Sequence, residues 1–295
     1  MSADTPSADA EGAVAPPSNN RAVLFVLSAF AVFSGTDVIV KLLAEEMPAP
    51  QVTFLVTAAA LLLLLAHAFS TGRGPRLVPR HPRTALLRAL LLAGDTLLIH
   101  YAFAVLPLAE AYLLAFLTPI LVAVLGFVLL GERLSAIGWA GVLIGFAGVA
   151  LALKPGAAPL NLGHAAAVGS AVFFALSIVL LRKTKLAETD EALVSSVLVV
   201  LAPVALAVAA LSGGFAPASL GDLALALAGG AMLLGGHALL VRAFRMGEAS
   251  VVAPFQYSQI IWGCLFGLLV FSTPVEVHTL GGAAIIILSG WLVLK

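Results

Sequence analysis

Ten apolar segments, each about as long as a membrane span, divide this sequence almost from end to end. They cover residues 22–44, 50–69, 84–106, 109–130, 136–153, 163–181, 191–212, 221–243, 249–271 and 279–294. A helix needs about 20 mostly apolar residues to cross the hydrocarbon core of a bilayer, whereas a strand of a membrane barrel shows shorter segments of alternating polarity. The segments therefore predict an all-α integral membrane protein with ten transmembrane helices.

Composition agrees with a membrane protein and disfavours several other classes. Hydrophobic residues make up 61% of the chain and charged residues 10%, against about 25% charged residues in an ordinary soluble domain. The single cysteine, Cys264, excludes an internal disulfide and an all-cysteine metal site. Neither an H-E-x-x-H pair nor a G-x-S-x-G elbow is present, and nothing resembles a channel's selectivity filter. We expect no enzyme, no metal, no cofactor and no nucleic-acid partner.

The distribution of positive charge predicts the orientation of the chain. With the N-terminus inside, two of the fifteen Lys and Arg residues, Lys41 and Lys154, fall outside, and the other thirteen fall on the cytoplasmic side. These thirteen are Arg21, Arg73, Arg76, Arg80, Arg83, Arg88, Arg133, Arg182, Lys183, Lys185, Arg242, Arg245 and Lys295. The positive-inside rule then places both termini in the cytoplasm of a bacterial cell, with the helices in its inner membrane. Residues 1–20 lack the basic and apolar regions of a signal peptide and are predicted to form a disordered cytoplasmic tail.

An internal duplication divides the chain into two halves, residues 21–155 and 156–295. Glu110 matches Glu248 at an offset of 138 residues, and the tripeptide at 31–33 matches that at 171–173 at an offset of 140. Each half holds five predicted helices, so the second half must enter the membrane from the opposite side. Inverted repeats of this kind are typical of carriers that alternate between inward-open and outward-open states about a midplane site.

Several motifs resemble the drug/metabolite transporter superfamily, in the branch built from two EamA-type domains. They are the Thr118-Pro119 pair, the 131–135 turn GERLS, the glycine-rich fifth helix and the 249–254 stretch ASVVAP. Within that branch the chain is most similar to the YddG-type amino-acid exporters. The resemblance implies a ten-helix basket whose cavity is lined mainly by helices 1, 3, 4, 6, 8 and 9, with helices 5 and 10 outside. At residues 272–274, STP stands where the second half of such a protein would repeat the GE turn.

Four ionisable side chains within the predicted helices are candidates for substrate contact. In hydrocarbon each costs on the order of 3 kcal/mol, so each needs an explanation. Asp95 lies in the middle of helix three and could bind a substrate ammonium or carry a coupling proton, the alternative being a carboxyl group bonded to neighbouring hydroxyls. Asp37 could do the same, or reach the outer interface and neutralise Lys41. His100 and His237 are candidates against the alternative of packed core histidines.

Helix nine carries the densest polar patch of the chain. Gln256, Tyr257 and Gln259, with Trp262 one turn later, could hydrogen-bond the α-amino and α-carboxylate groups of an amino acid without burying a charge. The alternative is hydrogen bonding between helices. Tyr112 of helix four is a further substrate-binding candidate.

Two prolines and a glycine face suggest mechanical roles. Pro119 and Pro254 remove backbone donors within the membrane, which indicates kinks and, beside a cavity, hinges. On helix five, glycines recur at positions 138, 141, 145 and 148, which favours close packing against the bundle or against a second subunit. The chain is thus expected to be a monomer, or a homodimer through the small-residue faces of helices 5 and 10.

These features together predict a carrier that exports small molecules. Amino acids, both aromatic and other neutral ones, are the expected substrates, and drug-like cations or other small metabolites are the alternative. A weakly acidic, amide-rich cavity disfavours phosphorylated substrates, which would need Arg or Lys at the midplane. The sequence leaves open whether transport is coupled to protons.

Overall fold

The computed structural model describes residues 19–294, apart from 107, 154–159, 185–187, 212, 214 and 273–274. That part of the chain is helical and contains no strand, which confirms the predicted all-α class. Most of the predicted tail, residues 1–18, lies outside the described residues. The α-helices are α1 (Asn19–Leu43), α2 (Ala49–Ser70), α3 (Pro82–Val105), α4 (Leu108–Ala115), α5 (Thr118–Leu125), α6 (Ala136–Leu153), α7 (Leu162–Thr184), α8 (Asp190–Leu211), α9 (Leu220–Met246), α10 (Ala249–Val252), α11 (Ser258–Phe271) and α12 (Val277–Val293).

Eight helical stretches in the described residues are long and apolar enough to cross a membrane, and α12 is a shorter apolar helix. The chain is therefore a multi-pass membrane protein. The ends of these helices lie close to the predicted ends. For example, the segment predicted at 163–181 is α7, and the segment predicted at 191–212 is α8. Helix α3 has 24 residues but contains Arg83, Arg88 and Asp95, and it is not among the eight stretches.

Two of the predicted helices are interrupted, and each interruption contains a proline. The fourth is divided between α4 and α5, where Pro119 occupies the first turn of α5, and it ends in a π-helical segment, Gly126–Leu130. Gly131 then adopts a φ of 70° and ends the helix, a conformation that favours glycine. The ninth is divided between α10 and α11 by a 3-10 segment, Ala253–Tyr257, that contains Pro254.

The glycine face of the fifth predicted helix packs within the chain. Helix α6 lies against α12, and a Cβ added to Gly148 would stand 3.0 Å from the carbonyl oxygen of Gly282. A Cβ added to Gly141 would likewise stand 3.0 Å from the carbonyl oxygen of Ser289. The small residues therefore let these two helices approach closely, and this face of α6 is covered by α12 rather than available to a second subunit.

Candidate functional site

A cavity of about 650 Å³ lies at the end of the bundle where α1 finishes. We call it the main cavity. Its walls come from distant parts of the chain, because residues of α1, α4, α6, α11 and α12 line it. The side chains that could contact a solute there are Ser34, Asp37, Lys41, Tyr112, Phe116, Gln259, Cys264, Phe266, Phe271, Glu276, His278 and Thr279.

Asp37 presents its carboxylate to the main cavity. Its side chain is exposed, and the Gln259 side chain donates a hydrogen bond from Nε2 to Asp37 Oδ2 at 3.4 Å. Ser34, one turn earlier on α1, also lines the cavity, and its buried hydroxyl has no hydrogen-bond partner among the described residues. A buried hydroxyl without a partner is costly.

Lys41 is a residue of the main cavity that the sequence analysis treated only as an outer cation near the end of the first predicted helix, where Asp37 could neutralise it. Its Nζ atom lies 4.3 Å from the centroid of the Phe271 ring, and in the described part of the chain it makes no ion pair. The sequence signal that could have found it is its spacing, one helical turn after Asp37. Glu276 also lines the cavity, and its carboxylate pairs with Nδ1 of His278 at 3.0 Å.

The polar patch of the ninth predicted helix is distributed around the helix axis rather than presented as a unit. Gln259 lines the main cavity, but Tyr257 is fully buried and packs edge-on against Phe116, with ring centroids 6.1 Å apart. The Tyr257 hydroxyl and the indole N–H of Trp262 are buried without a partner in the described residues. Gln256 and Trp262 do not line the cavity. Successive residues of a helix differ in direction by about 100°, so the members of this short patch point in different directions.

The other ionisable candidates lie away from the main cavity. Asp95 accepts a hydrogen bond from the Ser170 hydroxyl of α7 at 2.5 Å. In His237, Nδ1 lies 3.0 Å from the carbonyl oxygen of Leu233, and the ring meets Phe33 edge-on at 5.2 Å. The side chain of His100 lies outside the described part of the structure.

Comparison with known proteins identifies the family. The EamA-like transporter family matches residues 20–154. A pseudopaline exporter of Pseudomonas aeruginosa is 30% identical over 270 residues, which cover 90% of this chain and 93% of the exporter. The chain belongs to the EamA-like transporter family. This EamA-like transporter is thus a membrane carrier of small molecules rather than an enzyme.

Other relatives of the EamA-like transporter have different substrates in their names. An S-adenosylmethionine uptake transporter of Rickettsia bellii is 26% identical over 86% of each chain. A riboflavin transporter of Vibrio cholerae is 25% identical over 91% of each chain. A solved crystal structure superposes with a TM-score of 0.82 at 20% identity, over 94% of this chain and 98% of the other, which shows a shared fold.

At the end opposite the main cavity, polar contacts join helices of the EamA-like transporter that are distant in sequence. Glu132 follows the π-helical segment, and its Oε1 accepts a bond from Arg182 Nε of α7 at 3.1 Å. Its Oε2 accepts bonds of 3.0 Å from both the backbone N–H and the hydroxyl of Ser250 in α10. We call Glu132, Arg182 and Ser250 the Glu132 cluster. It lies beside the start of α1, since the backbone N–H of Glu248 donates to the Asn19 side chain at 3.0 Å.

More ionic contacts surround the Glu132 cluster. Arg245 pairs with Asp190 at 2.7 Å and donates to the carbonyl oxygen of Glu188 at 2.5 Å. The Glu188 carboxylate in turn accepts bonds from the backbone N–H groups of Arg80 and His81. The first turn of α8, the end of α9 and the segment before α3 are therefore tied together at this end.

Arg88, one of the thirteen cations that the sequence analysis placed on the cytoplasmic side, is buried. It is 1% exposed within α3. Its Nη1 donates to the carbonyl oxygen of Leu193 at 3.0 Å, and its Nε has no partner among the described residues. Arg88 is therefore a packing residue between α3 and α8, and the charge bias toward this end depends on the remaining cations.

Proposed function

We propose that this EamA-like transporter exports amino acids across the bacterial inner membrane by alternating access. The observation that carries the proposal is the main cavity itself, where the Asp37 carboxylate and the Gln259 amide lie between aromatic side chains. A carboxylate with a free oxygen can bind a substrate ammonium through charge-assisted hydrogen bonds. Tyr112 and Phe116 offer an apolar wall that tolerates varied side chains, aromatic ones included.

The architecture we propose for this cycle is ten transmembrane helices in two inverted repeats, residues 21–155 and 156–295, with both termini in the cytoplasm. The main cavity draws residues from both repeats, which supports a site at their interface. The Glu132 cluster joins the first repeat to the second at the other end. The structure would then be an outward-open state whose cytoplasmic side is closed.

The two proline interruptions support hinges in this mechanism. Pro119 lies between α4 and α5, and Pro254 lies between α10 and α11. Each interruption separates a part of the helix that lines the main cavity from a part beside the Glu132 cluster. Because the regular backbone bonding is broken there, each half of these helices can tilt without stretching a continuous helix.

Asp95 and His237 fit the same mechanism as residues that lie outside the main cavity, on the route that the substrate would take toward the cytoplasm. Asp95 with Ser170, and His237 with Phe33, are side chains that a substrate would meet after the cavity has switched sides. We propose that they contact the substrate in the inward-open state rather than in the state described here.

Organic cations are the second candidate substrates, and the same carboxylate favours them. Asp37 with the aromatic rings of Tyr112 and Phe116 could bind a drug-like cation as well as an amino-acid ammonium. The relatives do not decide the direction of transport, since their names include an uptake transporter and an exporter.

Counterflow in liposomes tests the proposed function. Purified protein is reconstituted in liposomes loaded with unlabelled phenylalanine or leucine, and entry of the labelled amino acid is followed. We expect transient accumulation above that in liposomes without the protein, because a carrier exchanges internal for external substrate. Accumulation equal to that in protein-free liposomes across a panel of neutral amino acids would overturn amino-acid transport. Accumulation of an organic cation alone would support the second candidate.

A further inference from the structure

Three polar side chains of α1 face the main cavity in a single row. Ser34, Asp37 and Lys41 stand at positions i, i+3 and i+7 and all line the cavity. Residues with this spacing share one face of a helix. Asp37 and Lys41 are one turn apart, which is about 6 Å along the axis.

Within the described part of the chain, neither charge of this row forms an ion pair. Asp37 accepts a bond of 3.4 Å from the neutral Gln259 amide. Lys41 rests on the Phe271 ring, and no carboxylate of the described chain lies within ion-pair distance of it. The other carboxylate lining the cavity, Glu276, is engaged by His278. The cavity therefore holds a separate anion and a separate cation, both exposed to a solute.

A separated pair of this kind matches a zwitterion. The ammonium and carboxylate of an α-amino acid are joined through one carbon atom, so a single small molecule can reach both groups of a pair one helical turn apart. A contact between an exposed ammonium and an aromatic ring is weaker than a charge-assisted hydrogen bond to a carboxylate. Lys41 can therefore exchange Phe271 for a substrate carboxylate.

We propose that Lys41 binds the carboxylate of the substrate while Asp37 binds its ammonium, so that the main cavity selects α-amino acids over organic amines. This inference rests on the proposed function and narrows it, because it assigns the two ends of the zwitterion to two named residues. Ser34 is placed to donate a further bond to either end. The aromatic wall formed by Tyr112 and Phe116 is left to contact the substrate side chain.

A pair of matched ligands separates the role of Lys41 from that of Asp37. Phenylalanine and phenethylamine differ by the carboxylate. The half-saturating concentration of phenylalanine is measured by counterflow, and phenethylamine is measured as a competitor of the labelled amino acid. The variants are Lys41→Met, Lys41→Arg and Asp37→Asn, with Lys183→Met as control, because Lys183 is an exposed lysine at the end of α7 far from the cavity in the fold.

We expect Lys41→Met to raise the half-saturating concentration of phenylalanine at least tenfold and to change inhibition by phenethylamine less than twofold. Lys41→Arg should restore the half-saturating concentration of phenylalanine to within about threefold of the wild-type value, because arginine also binds carboxylates. Asp37→Asn should weaken the binding of both ligands, since both carry the ammonium group. Melting of each variant in detergent checks that the fold is retained.

Two results would overturn the inference. One is a Lys41→Met protein whose half-saturating concentration for phenylalanine equals that of the wild type. The other is a Lys41→Met protein that binds phenylalanine and phenethylamine more weakly by the same factor, which would indicate a general disturbance of the cavity. In either case the wild-type protein still moves amino acids, and the proposed function stands. A wild-type protein that moves amines but no amino acid would overturn both.

Discussion

The carboxylate of Glu132 joins two distant parts of the chain, because it bonds Arg182 at 3.1 Å through one oxygen and Ser250 at 3.0 Å through the other. Both side chains of the ion pair are more than nine-tenths buried. Arg182 also donates to the carbonyl oxygens of Phe244 and Arg245, at 3.5 and 3.3 Å. One acidic residue thus ties the turn before α6 to the ends of α7, α9 and α10. A buried pair of this kind costs about 3–5 kcal/mol when one partner is removed.

We expect Glu132→Gln to loosen this end of the bundle. The amide keeps one acceptor but loses the charge that holds Arg182, a change worth about 1.5 kcal/mol or more, which corresponds to about tenfold in an opening equilibrium. The measurement is labelling of Ala253→Cys, a 2% exposed position beside the cluster, by a polar thiol reagent on purified protein in a Cys264→Ser background. The rate should rise about tenfold.

Arg133→Gln is the matched control for this experiment. Arg133 is the next residue along the chain, is exposed, and makes no ion pair in the described residues. Its substitution should leave the labelling rate unchanged. Equal labelling in Glu132→Gln and the wild type would show that the Glu132 cluster does not keep this end closed.

We expect Asp95→Asn to lower the maximal rate of transport, because we propose that Asp95 contacts the substrate only after the cavity has switched sides. The half-saturating concentration should stay within about twofold of the wild-type value. Asp95 lies outside the main cavity, and an asparagine oxygen can still accept the Ser170 hydroxyl, so substrate binding in the described state loses no contact. The readout is the counterflow rate of phenylalanine as a function of concentration.

A companion variant, Ser170→Ala, tests the pair from the other side. It leaves the carboxyl group of Asp95 without its hydrogen bond, which should lower the free energy of unfolding by about 1–3 kcal/mol. A large rise in the half-saturating concentration for Asp95→Asn would contradict the placement of Asp95 outside the main cavity.

Gly282→Ala should destabilise the contact between α6 and α12. The added Cβ would lie 2.5 Å from the carbonyl oxygen of Gly148 and 2.8 Å from the backbone N of Ala152, and backbone atoms cannot rotate away. Overpacking of this kind costs about 1–3 kcal/mol, so the melting temperature in detergent should fall.

Gly235→Ala on α9 is the control for the glycine contact. Apart from the backbone of its own helix and its two chain neighbours, no atom of the described residues lies within 4 Å of the Cβ that it would add. Alanine favours a helix over glycine by about 1 kcal/mol, so the melting temperature should stay the same or rise slightly. A similar fall in both variants would mean that the loss at Gly282 does not come from the close approach to α6.

The sequence predicted a large part of the fold because, in a bilayer, each spanning helix is indicated by the apolar residues of its own segment. A helix must satisfy its own backbone hydrogen bonds in hydrocarbon, so an apolar run of the right length is sufficient evidence for it. The ends of α7 and α8 therefore fell within three residues of the prediction. Pro119 and Pro254 marked the two interruptions, because a proline removes a backbone donor, although α8 continues through Pro203.

The candidate site was less accessible to the same reasoning. Gln259 was separated from Tyr257 by the turn of the helix, and Lys41, counted only as an outer cation, lines the main cavity. Arg88 was counted with the cytoplasmic cations and is buried against the Leu193 carbonyl. Each outcome depends on which neighbouring helix a side chain meets, and hydropathy carries no information about neighbours.

The positions of the helices and of the two proline interruptions thus follow from residue chemistry within short windows, whereas the partner of the glycine face of α6 was decided by the structure. The pairing of Glu132 with Arg182 across 50 residues, and the meeting of Asp37 with Gln259 across 222, needed the assembled bundle. Apolar helices can pack against one another in many ways with similar burial in lipid, and the arrangement adopted is selected by side-chain fit and hydrogen bonds between segments far apart in the chain.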